Sequence, residues 1–310
     1  MLIAWLTLFG GLALLVRGSD WLVDGAMGIS NHLGLSPLVV GLTVVAYGTS
    51  LPEFVVSLLA AMNGVGDMAV GNVVGSNIAN LGLAWGAALL VGTSRVSDRT
   101  IYRRDLPMLV LVSVGFYTLA IDGTFSRSEG VLLLGVALFY TVIALRTDTD
   151  SEQGEASELS MPKALFWLTV GVAGLVIGAD LMVDGAVEIA RGYGVGERLI
   201  GLTIIALGTS LPEVAATVAA ARRNEGGLAL GNILGSCLFN LSFVVGGASL
   251  FTPLEVHQSS LSFDMPLMLG ITILAGSLLY AFKRGSKWHG AVLLFVYLTF
   301  LAILAEQAFL

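Results

Sequence analysis

The chain has 310 residues, of which 56% are hydrophobic and only 12% are charged, and its mean hydropathy is +0.88. Soluble domains carry roughly 25% charged residues, so this composition excludes a soluble globular protein and predicts an integral membrane protein. A single cysteine, Cys237, excludes an intrachain disulfide framework and a cysteine-based metal cluster. The formal net charge of -7 comes largely from one acidic segment near the middle of the chain.

Apolar segments recur along the chain, each close to the ~20 residues that a helix needs to cross a bilayer. They lack the alternating pattern of a membrane β-barrel and therefore predict an all-α membrane protein. The ten predicted transmembrane helices lie near residues 2–26, 37–62, 68–92, 106–121, 129–146, 162–190, 196–220, 228–251, 264–282 and 289–307. The first segment has no basic region and no cleavage site before its charges, so it is expected to be a helix and not a removable signal peptide.

The second half of the chain repeats the first at an offset of 160 residues. Residues 41–53 are GLTVVAYGTSLPE and residues 201–213 are GLTIIALGTSLPE, with ten of thirteen positions identical. GNVVGSNIANL (71–81) and GNILGSCLFNL (231–241) then follow at the same offset. Five helices per copy is an odd number, which predicts two inverted five-helix repeats of the kind found in secondary transporters. The predicted organisation is a first repeat (1–146), an acidic cytoplasmic linker (147–161) and a second repeat (162–310).

The distribution of lysine and arginine predicts the orientation. With both termini outside, the cytoplasmic connections hold eleven basic residues and the outer connections hold three. We therefore expect a protein of the cell (inner) membrane with both termini outside. Arg17 lies inside the first predicted helix, where the second copy has Ile177, and is expected to snorkel or to pair with Asp20. Two acidic pairs, Asp20 with Asp24 and Asp180 with Asp184, are expected at helix ends, as interfacial charges or parts of an entry funnel.

The repeated GTSLPE segment places an acid in the middle of an apolar helix. Pro52 cannot donate a backbone hydrogen bond, so the helix is expected to kink or open and to leave carbonyl groups free. Glu53 follows Thr49 by four residues and Ser50 by three, which puts a carboxylate and two hydroxyls on one face. The second copy supplies the same groups as Thr209, Ser210, Pro212 and Glu213.

A stripe of three polar residues, each four positions after the last, follows the acid in each copy. The first stripe is Asn72, Ser76 and Asn80, and the second is Asn232, Ser236 and Asn240. Together the two stripes and the two acids predict a cage of oxygen atoms without histidine or cysteine. Such a site suits Ca²⁺ or Na⁺ and fits zinc and copper poorly. The alternatives are structural: a proline kink, small-residue helix packing, packing hydrogen bonds, or backbone capping by Asn72 and Asn232.

The doubled GTSLPE and GNxxGSxxxN motifs resemble the α-repeats of the cation/calcium exchanger superfamily, and within it the prokaryotic sodium/calcium exchanger branch. The resemblance covers nearly the whole chain. It implies alternating exchange of about three Na⁺ for one Ca²⁺, with a slanted first helix in each half that slides over the other eight. The ligands that it implies are Glu53, Glu213, Thr49, Thr209, Ser50, Ser210, Ser76, Ser236, Asn80 and Asn240, together with the backbone carbonyls of Ala46 and Ala206.

Two departures from the expected pattern concern the residues beside the site. Asn80 and Asn240 are both amides, although many members carry a third acid at one of these positions, so the site charge is expected to be minus two. Cys237 stands where the first copy has Asn77.

The alternatives in function are a proton-coupled or broader divalent-cation exchanger of the same superfamily, a cation channel, and an intramembrane hydrolase for which no base is available. We expect a transporter of Ca²⁺ and Na⁺, with H⁺ as a further possible ion, and not an enzyme. It is expected to work as a monomer without a cofactor or a nucleic-acid partner.

Overall fold

The computed structural model describes residues 1–92, 100–147, 159–196, 200, 204, 206–282 and 286–309. The described chain is almost entirely helical. The helices of the first half are α1 (Leu2–Leu33), α2 (Pro37–Thr49), α3 (Leu51–Met62), α4 (Gly66–Val91), α5 (a π-helical turn Ile101–Asp105 that continues as Leu106–Ala120) and α6 (Arg127–Arg146).

The second half begins with α7 (Met161–Gly192) and a short turn, Ala206–Gly208. It continues with α8 (Leu211–Arg222), α9 (Gly226–Phe251), α10 (a π-helical turn Ser260–Asp264 followed by Met265–Phe282) and α11 (Lys287–Phe309). Two short strands, β1 (Thr124–Phe125) and β2 (Leu254–Glu255), pair antiparallel and connect the two halves.

Seven of the described helices are long and apolar enough to cross a membrane, and the bent pair α2 and α3 makes an eighth span if counted as one. The prediction of an all-helical membrane protein is therefore confirmed. The helical part Leu106–Ala120 of α5 has only 15 residues. The first part of the helix predicted at 196–220 lies largely outside the described residues, and most of the linker 147–161 lies outside them too. Ten spans remain a prediction.

The two longest helices, α1 and α7, lie antiparallel along a seam of small residues. Glycine recurs every seventh residue on both helices, at Gly11, Gly18 and Gly25 and at Gly171, Gly178 and Gly185. A Cβ atom at Gly25 would lie 2.3 Å from the Leu168 backbone nitrogen, and one at Gly185 would lie 2.6 Å from that of Leu8. Because the beginning of each helix meets the end of the other, the pair is antiparallel, and only residues without a side chain allow this close approach.

The helix α1 is longer than its sequence predicts, and this changes the position of two acids. The predicted end was residue 26, whereas α1 continues to Leu33 and ends at Gly34 with a left-handed φ of 65°. The placement of Asp20 and Asp24 at a helix end was therefore wrong, because both lie within α1. Arg223, the residue after α8, forms ion pairs with both, at 3.2 Å to Asp20 and 2.5 Å to Asp24.

Arg17 uses neither of these acids. Its guanidinium lies 5.5 Å from the centre of the Trp21 ring, within cation–π distance, and its side chain is exposed. Of the two expectations for Arg17, snorkelling or pairing with Asp20, the pairing is not found, because Arg223 pairs with that carboxylate.

The helices α4 and α9 form the centre of the bundle. In the most apolar stretch of 18 residues in each helix, 78% of the residues are buried in α4 and 94% in α9. The corresponding share is 28% in α1 and also in α7. Each contains a π-helical turn, at Asn80–Ala84 in α4 and Asn240–Val244 in α9. Such turns interrupt the regular ladder and are frequent at functional sites. The polar stripes of the sequence thus lie on the two most enclosed helices.

Candidate functional site

The GTSLPE segments interrupt the helices at the same point in each half. The helices α2 and α3 meet at 45° around Ser50, whose φ of −87° and ψ of 7° leave the helical region. Ser210 has nearly the same backbone angles, −88° and −1°, before α8. Pro52 and Pro212 stand in the first turn of the following helix, where the missing N–H costs no helical hydrogen bond. Each break exposes a helix N-terminus, which favours negative charge.

Glu53 and Glu213 occupy these two helix N-termini and are both fully buried, at 0% exposure. The Ser50 hydroxyl of the first half donates to Glu213 Oε1 of the second half at 2.8 Å. The Ser76 hydroxyl donates to Glu53 Oε1 at 3.5 Å, and Ser210 lies against the same carboxylate. The two carboxylates are close enough to repel each other. They therefore share one enclosed space between the two halves.

Asn72 and Asn232 hold the carboxylate-bearing helices in place. The Asn72 amide nitrogen donates to Ser57 at 3.0 Å and to the Glu53 carbonyl at 3.3 Å, and its Oδ1 accepts from Thr209 at 3.5 Å. Asn232 makes the same three bonds in the second half. Its amide nitrogen donates to Thr217 at 2.9 Å and to the Glu213 carbonyl at 3.4 Å, and its Oδ1 accepts from Thr49 at 3.3 Å. Each asparagine thus joins its own half to the other, and both threonine hydroxyls are used as donors in these bonds.

Eight buried side-chain atoms among the described residues have no hydrogen-bond partner, and all eight belong to predicted site residues. They are Glu53 Oε2, Glu213 Oε2, Ser210 Oγ, Ser236 Oγ, and both amide atoms of Asn80 and of Asn240. A buried polar atom without a partner costs about 1–3 kcal/mol, so such atoms seldom occur together by chance. Six of the eight are oxygens, and a cation with several oxygen ligands would satisfy them.

The alanine positions differ between the halves. The Ala46 carbonyl accepts from the Ser50 N–H at 3.0 Å. The Thr49 hydroxyl lies 3.4 Å from the same carbonyl, but its single hydrogen is used when it donates to Asn232. One lone pair of the Ala46 carbonyl is then available for an ion. In the second half the Ser210 N–H donates to the Leu207 carbonyl at 3.1 Å instead. The side chain of Ala206 lies outside the described part of the structure.

The formal charge of the site comes from its two carboxylates. Among the described residues, no group of three or more histidine, cysteine, aspartate or glutamate side chains could hold a metal ion. Asn80 and Asn240 contribute neutral amides, and Cys237 is buried beside Asn80. The donor set is thus two carboxylates with amide and hydroxyl oxygens, which suits hard cations.

A cavity lies beside this cluster, on the side of α7. It has a volume of about 880 Å³ and lies between α7 and the broken helices, and its lining includes Pro52, Thr209, Pro212 and Asp180. Apart from Thr169, Asp180 and Thr209, the side chains that line it are apolar. Asp180, predicted together with Asp184 as interfacial charge or entry-funnel residues, thus lies in a cavity wall.

Two polar networks beside the site were not predicted. Tyr47 of α2 shares a hydrogen bond with Thr141 of α6. Tyr140, the residue before Thr141, donates to the fully buried Asp105 at 3.0 Å, and Asp105 also pairs with Arg104 at 2.6 Å. In the sequence, Asp105 is followed by Leu106 and Pro107, a pattern that indicates a helix start and nothing about these partners.

An aromatic cluster encloses one side of the broken helix. The Tyr47 ring lies 4.4 Å from that of Phe239, which stacks on Phe243 at 4.5 Å, and Phe54 completes the cluster 5.2 Å from Phe243. These rings come from α2, α3 and α9, so they exclude water from the helix break on this side.

The all-helical membrane fold and the buried cluster of polar side chains between two similar halves are typical of a membrane transporter. The family described as sodium/calcium exchanger protein matches residues 3–146 and 163–305, and the chain belongs to this family. It is therefore a membrane cation antiporter and not an enzyme.

Individual relatives match over nearly the full length. The chain is 37% identical to the putative antiporter CaxA of Alkalimonas amylolytica, covering 96% of this chain and 97% of the relative. It is 32% identical to the sodium/calcium exchanger MaX1 of Methanosarcina acetivorans, covering 97% and 98%. Among solved structures, the sodium-calcium exchanger NCX_Mj superposes with a TM-score of 0.86 at 31% identity, covering 97% of this chain and 98% of that chain.

Proposed function

We propose that this protein exchanges Na⁺ for Ca²⁺ across the membrane at the cluster around Glu53 and Glu213. The observation that carries the proposal is the set of six buried oxygens without a hydrogen-bond partner, two of them from carboxylates, all on predicted site residues. Ca²⁺ takes six to eight oxygen ligands, so the number and the chemistry of these atoms suit it. The similarity to MaX1 and NCX_Mj, both named as sodium/calcium exchangers, supports the choice of ions.

Charge balance favours an electrogenic cycle. One Ca²⁺ neutralises the two carboxylates, whereas three Na⁺ would exceed their charge by one. Exchange of about three Na⁺ for one Ca²⁺, the ratio implied by the family resemblance, moves one net charge per cycle. The membrane potential should then contribute about 2.3 kcal/mol per 100 mV.

The proposed architecture is ten transmembrane helices in two inverted repeats, residues 1–146 and 162–310, joined by a cytoplasmic linker. The antiparallel packing of α1 and α7, which begin the two halves, supports the inversion. The matched hydrogen bonds of Asn72 and Asn232, each reaching into the other half, support a shared central site. The lysine and arginine distribution supports an inner-membrane protein with both termini outside, and we propose that one copy is sufficient for transport.

Alternating access would result from movement of the α1–α7 pair over the remaining helices. The cavity beside α7 already reaches the site segments at Pro52, Thr209 and Pro212. A shift of α7 would widen or close this route, and a shift of α1 would do the same on the opposite side. The fully buried carboxylates would then be reached from one side at a time.

The test is radioactive Ca²⁺ uptake into proteoliposomes that contain the purified protein. An outward Na⁺ gradient should drive uptake above a control with equal Na⁺ on both sides. A pH gradient of equal driving force, with Na⁺ absent, should not. Uptake that follows the pH gradient instead would favour the proton-coupled alternative, and uptake that needs neither counter-ion would favour a channel.

A further inference from the structure

The two helices of the α1–α7 pair are held differently by the rest of the molecule. Arg223, which follows α8, contacts two carboxylates of α1, with its Nη2 3.2 Å from Asp20 and its Nη1 2.5 Å from Asp24. We call these three residues the ionic cluster. Asp20 and Asp24 are four residues apart and thus share one face of α1, so a single guanidinium can bind both. The cluster joins a helix of the pair to a helix that carries a site carboxylate.

The other half has the acids of this cluster but not its cation. Asp180 and Asp184 of α7 correspond to Asp20 and Asp24, whereas the residue that corresponds to Arg223 is Asn63. Among the described residues, neither acid of α7 has an ion-pair partner. An exact repeat would have supplied a second cation at position 63, so the second set of acids lacks the partner that Arg223 provides to the first.

The helices α1 and α7 also differ in how closely they pack against their neighbours. The cavity of about 880 Å³ separates α7 from the broken helix of the first half, with Pro52, Val55 and Val56 on its wall. Asp180 also lies on this wall. Asp20, the corresponding acid of α1, is instead bound by Arg223. The helix α1 is therefore closed against α8, where the ionic cluster lies, whereas a cavity separates α7 from α3, where no ionic cluster is found among the described residues.

We infer that the ionic cluster stabilises the conformation in which α1 is closed against α8 and the cavity beside α7 is open. The opposite conformation requires α1 to move away from α8, which breaks both ion pairs and gains no equivalent pair at Asn63. The two access conformations are thus unequally populated, and the cluster sets the ratio. This inference rests on the alternating movement proposed above, but it concerns the equilibrium between two conformations and not the ions that are carried.

The test is the reaction rate of a cysteine in the cavity wall with a charged, water-soluble thiol reagent. Ala173 of α7 lines the cavity and is exposed, so Ala173→Cys reports how often this cavity is open to water. The native Cys237 is fully buried and serves as an internal background. The protein is labelled in detergent without Ca²⁺ or Na⁺, so the result does not depend on transport.

Arg223→Asn introduces the residue that the first half carries and should slow the labelling of Ala173→Cys about threefold. The effect is modest because the three side chains are about one third to one half exposed, and exposed ion pairs are screened by water and salt. The matched control is Arg222→Met, which introduces the residue of the first half at position 62 and removes an exposed cation outside the cluster. It should label at the wild-type rate.

Asn63→Arg keeps the inference testable if Arg223→Asn folds poorly. It supplies the missing cation opposite Asp180 and Asp184, and so should also slow the labelling, although it removes no native contact of the cluster. Equal labelling rates in wild type, Arg223→Asn and Asn63→Arg would overturn the inference, and so would a reduction by Arg222→Met as large as that by Arg223→Asn. Failure of Na⁺-driven Ca²⁺ uptake with these labelling differences intact would instead contradict the proposed function alone.

Discussion

Replacement of Glu213 by glutamine isolates the contribution of one site charge. The amide oxygen that Glu213→Gln introduces can still accept from Ser50, whose hydroxyl donates to Glu213 Oε1 at 2.8 Å. The site charge nevertheless falls from minus two to minus one. At about 4 Å and an effective dielectric constant of about 20, one carboxylate attracts a divalent cation by about 8 kcal/mol and a monovalent cation by about 4 kcal/mol. The loss is thus about twice as large for Ca²⁺ as for Na⁺.

Even if half of the lost attraction is recovered by the amide oxygen and by water, Ca²⁺ affinity should fall more than about 500-fold, since each 1.4 kcal/mol is tenfold. The assay is the Ca²⁺-dependent rise in unfolding temperature, together with Ca²⁺ uptake. Wild type should be stabilised by Ca²⁺ and Glu213→Gln should not, because a ligand stabilises only the state that binds it. Uptake should be nearly abolished.

The matched control is Glu188→Gln, which removes one charge from an exposed position on α7. It should keep both the Ca²⁺-induced stabilisation and the uptake. Without Ca²⁺, Glu213→Gln should unfold at or above the wild-type temperature, because it removes repulsion between two buried carboxylates. Ca²⁺ stabilisation of Glu213→Gln equal to that of wild type would refute the assignment of Glu213 as a ligand.

Two further substitutions and one labelling experiment test neighbouring parts of the account. Ser50→Ala removes a neutral donor to Glu213 and should weaken Ca²⁺ uptake about tenfold, less than loss of the charge itself. Asn240→Asp raises the site charge to minus three and should increase Ca²⁺ affinity relative to Na⁺, measured by Na⁺ competition against Ca²⁺ binding. A cysteine at position 153, in the acidic linker, should be labelled only from the cytoplasmic side of sealed vesicles.

Each of these three predictions has an outcome that would contradict it. Wild-type uptake by Ser50→Ala would mean that this hydroxyl does not act at the site. Unchanged Na⁺ competition in Asn240→Asp would mean that position 240 does not face the ions. Labelling of position 153 from outside would contradict the proposed inversion.

The duplicated motif made the central residues predictable. Glu53 and Glu213 each follow the same proline in an apolar run, and intramembrane acids at matching places have few structural explanations. The helix break followed from the chemistry of proline alone, and the structure has a 45° bend there. Small-residue packing was predicted for the glycine pairs of the two GN segments. Gly231 and Gly235 approach the backbone of α2 closely, but Gly71 and Gly75 have no such neighbour, and the heptad seam between α1 and α7 was not predicted.

Contacts between distant segments were not predictable. The bond from Thr49 to Asn232 joins residues 183 positions apart, and it depends on how the two halves dock. The burial of Asp105 depends in the same way on Tyr140 of another helix. The ion pair of Arg223 with Asp24 was missed for the same reason, because it joins residues 199 positions apart.

The most direct test of Na⁺-for-Ca²⁺ exchange at this site is the simultaneous flux of radioactive Ca²⁺ and Na⁺ in the same proteoliposomes. Wild type should release about three Na⁺ for each Ca²⁺ that enters, as the charge balance of the site favours, and neither ion should move when the other is absent. The Glu53→Gln and Glu213→Gln variants should show neither flux, whereas Glu188→Gln should show both. Ca²⁺ entry without Na⁺ release, or coupled fluxes that persist in both site variants, would contradict the account.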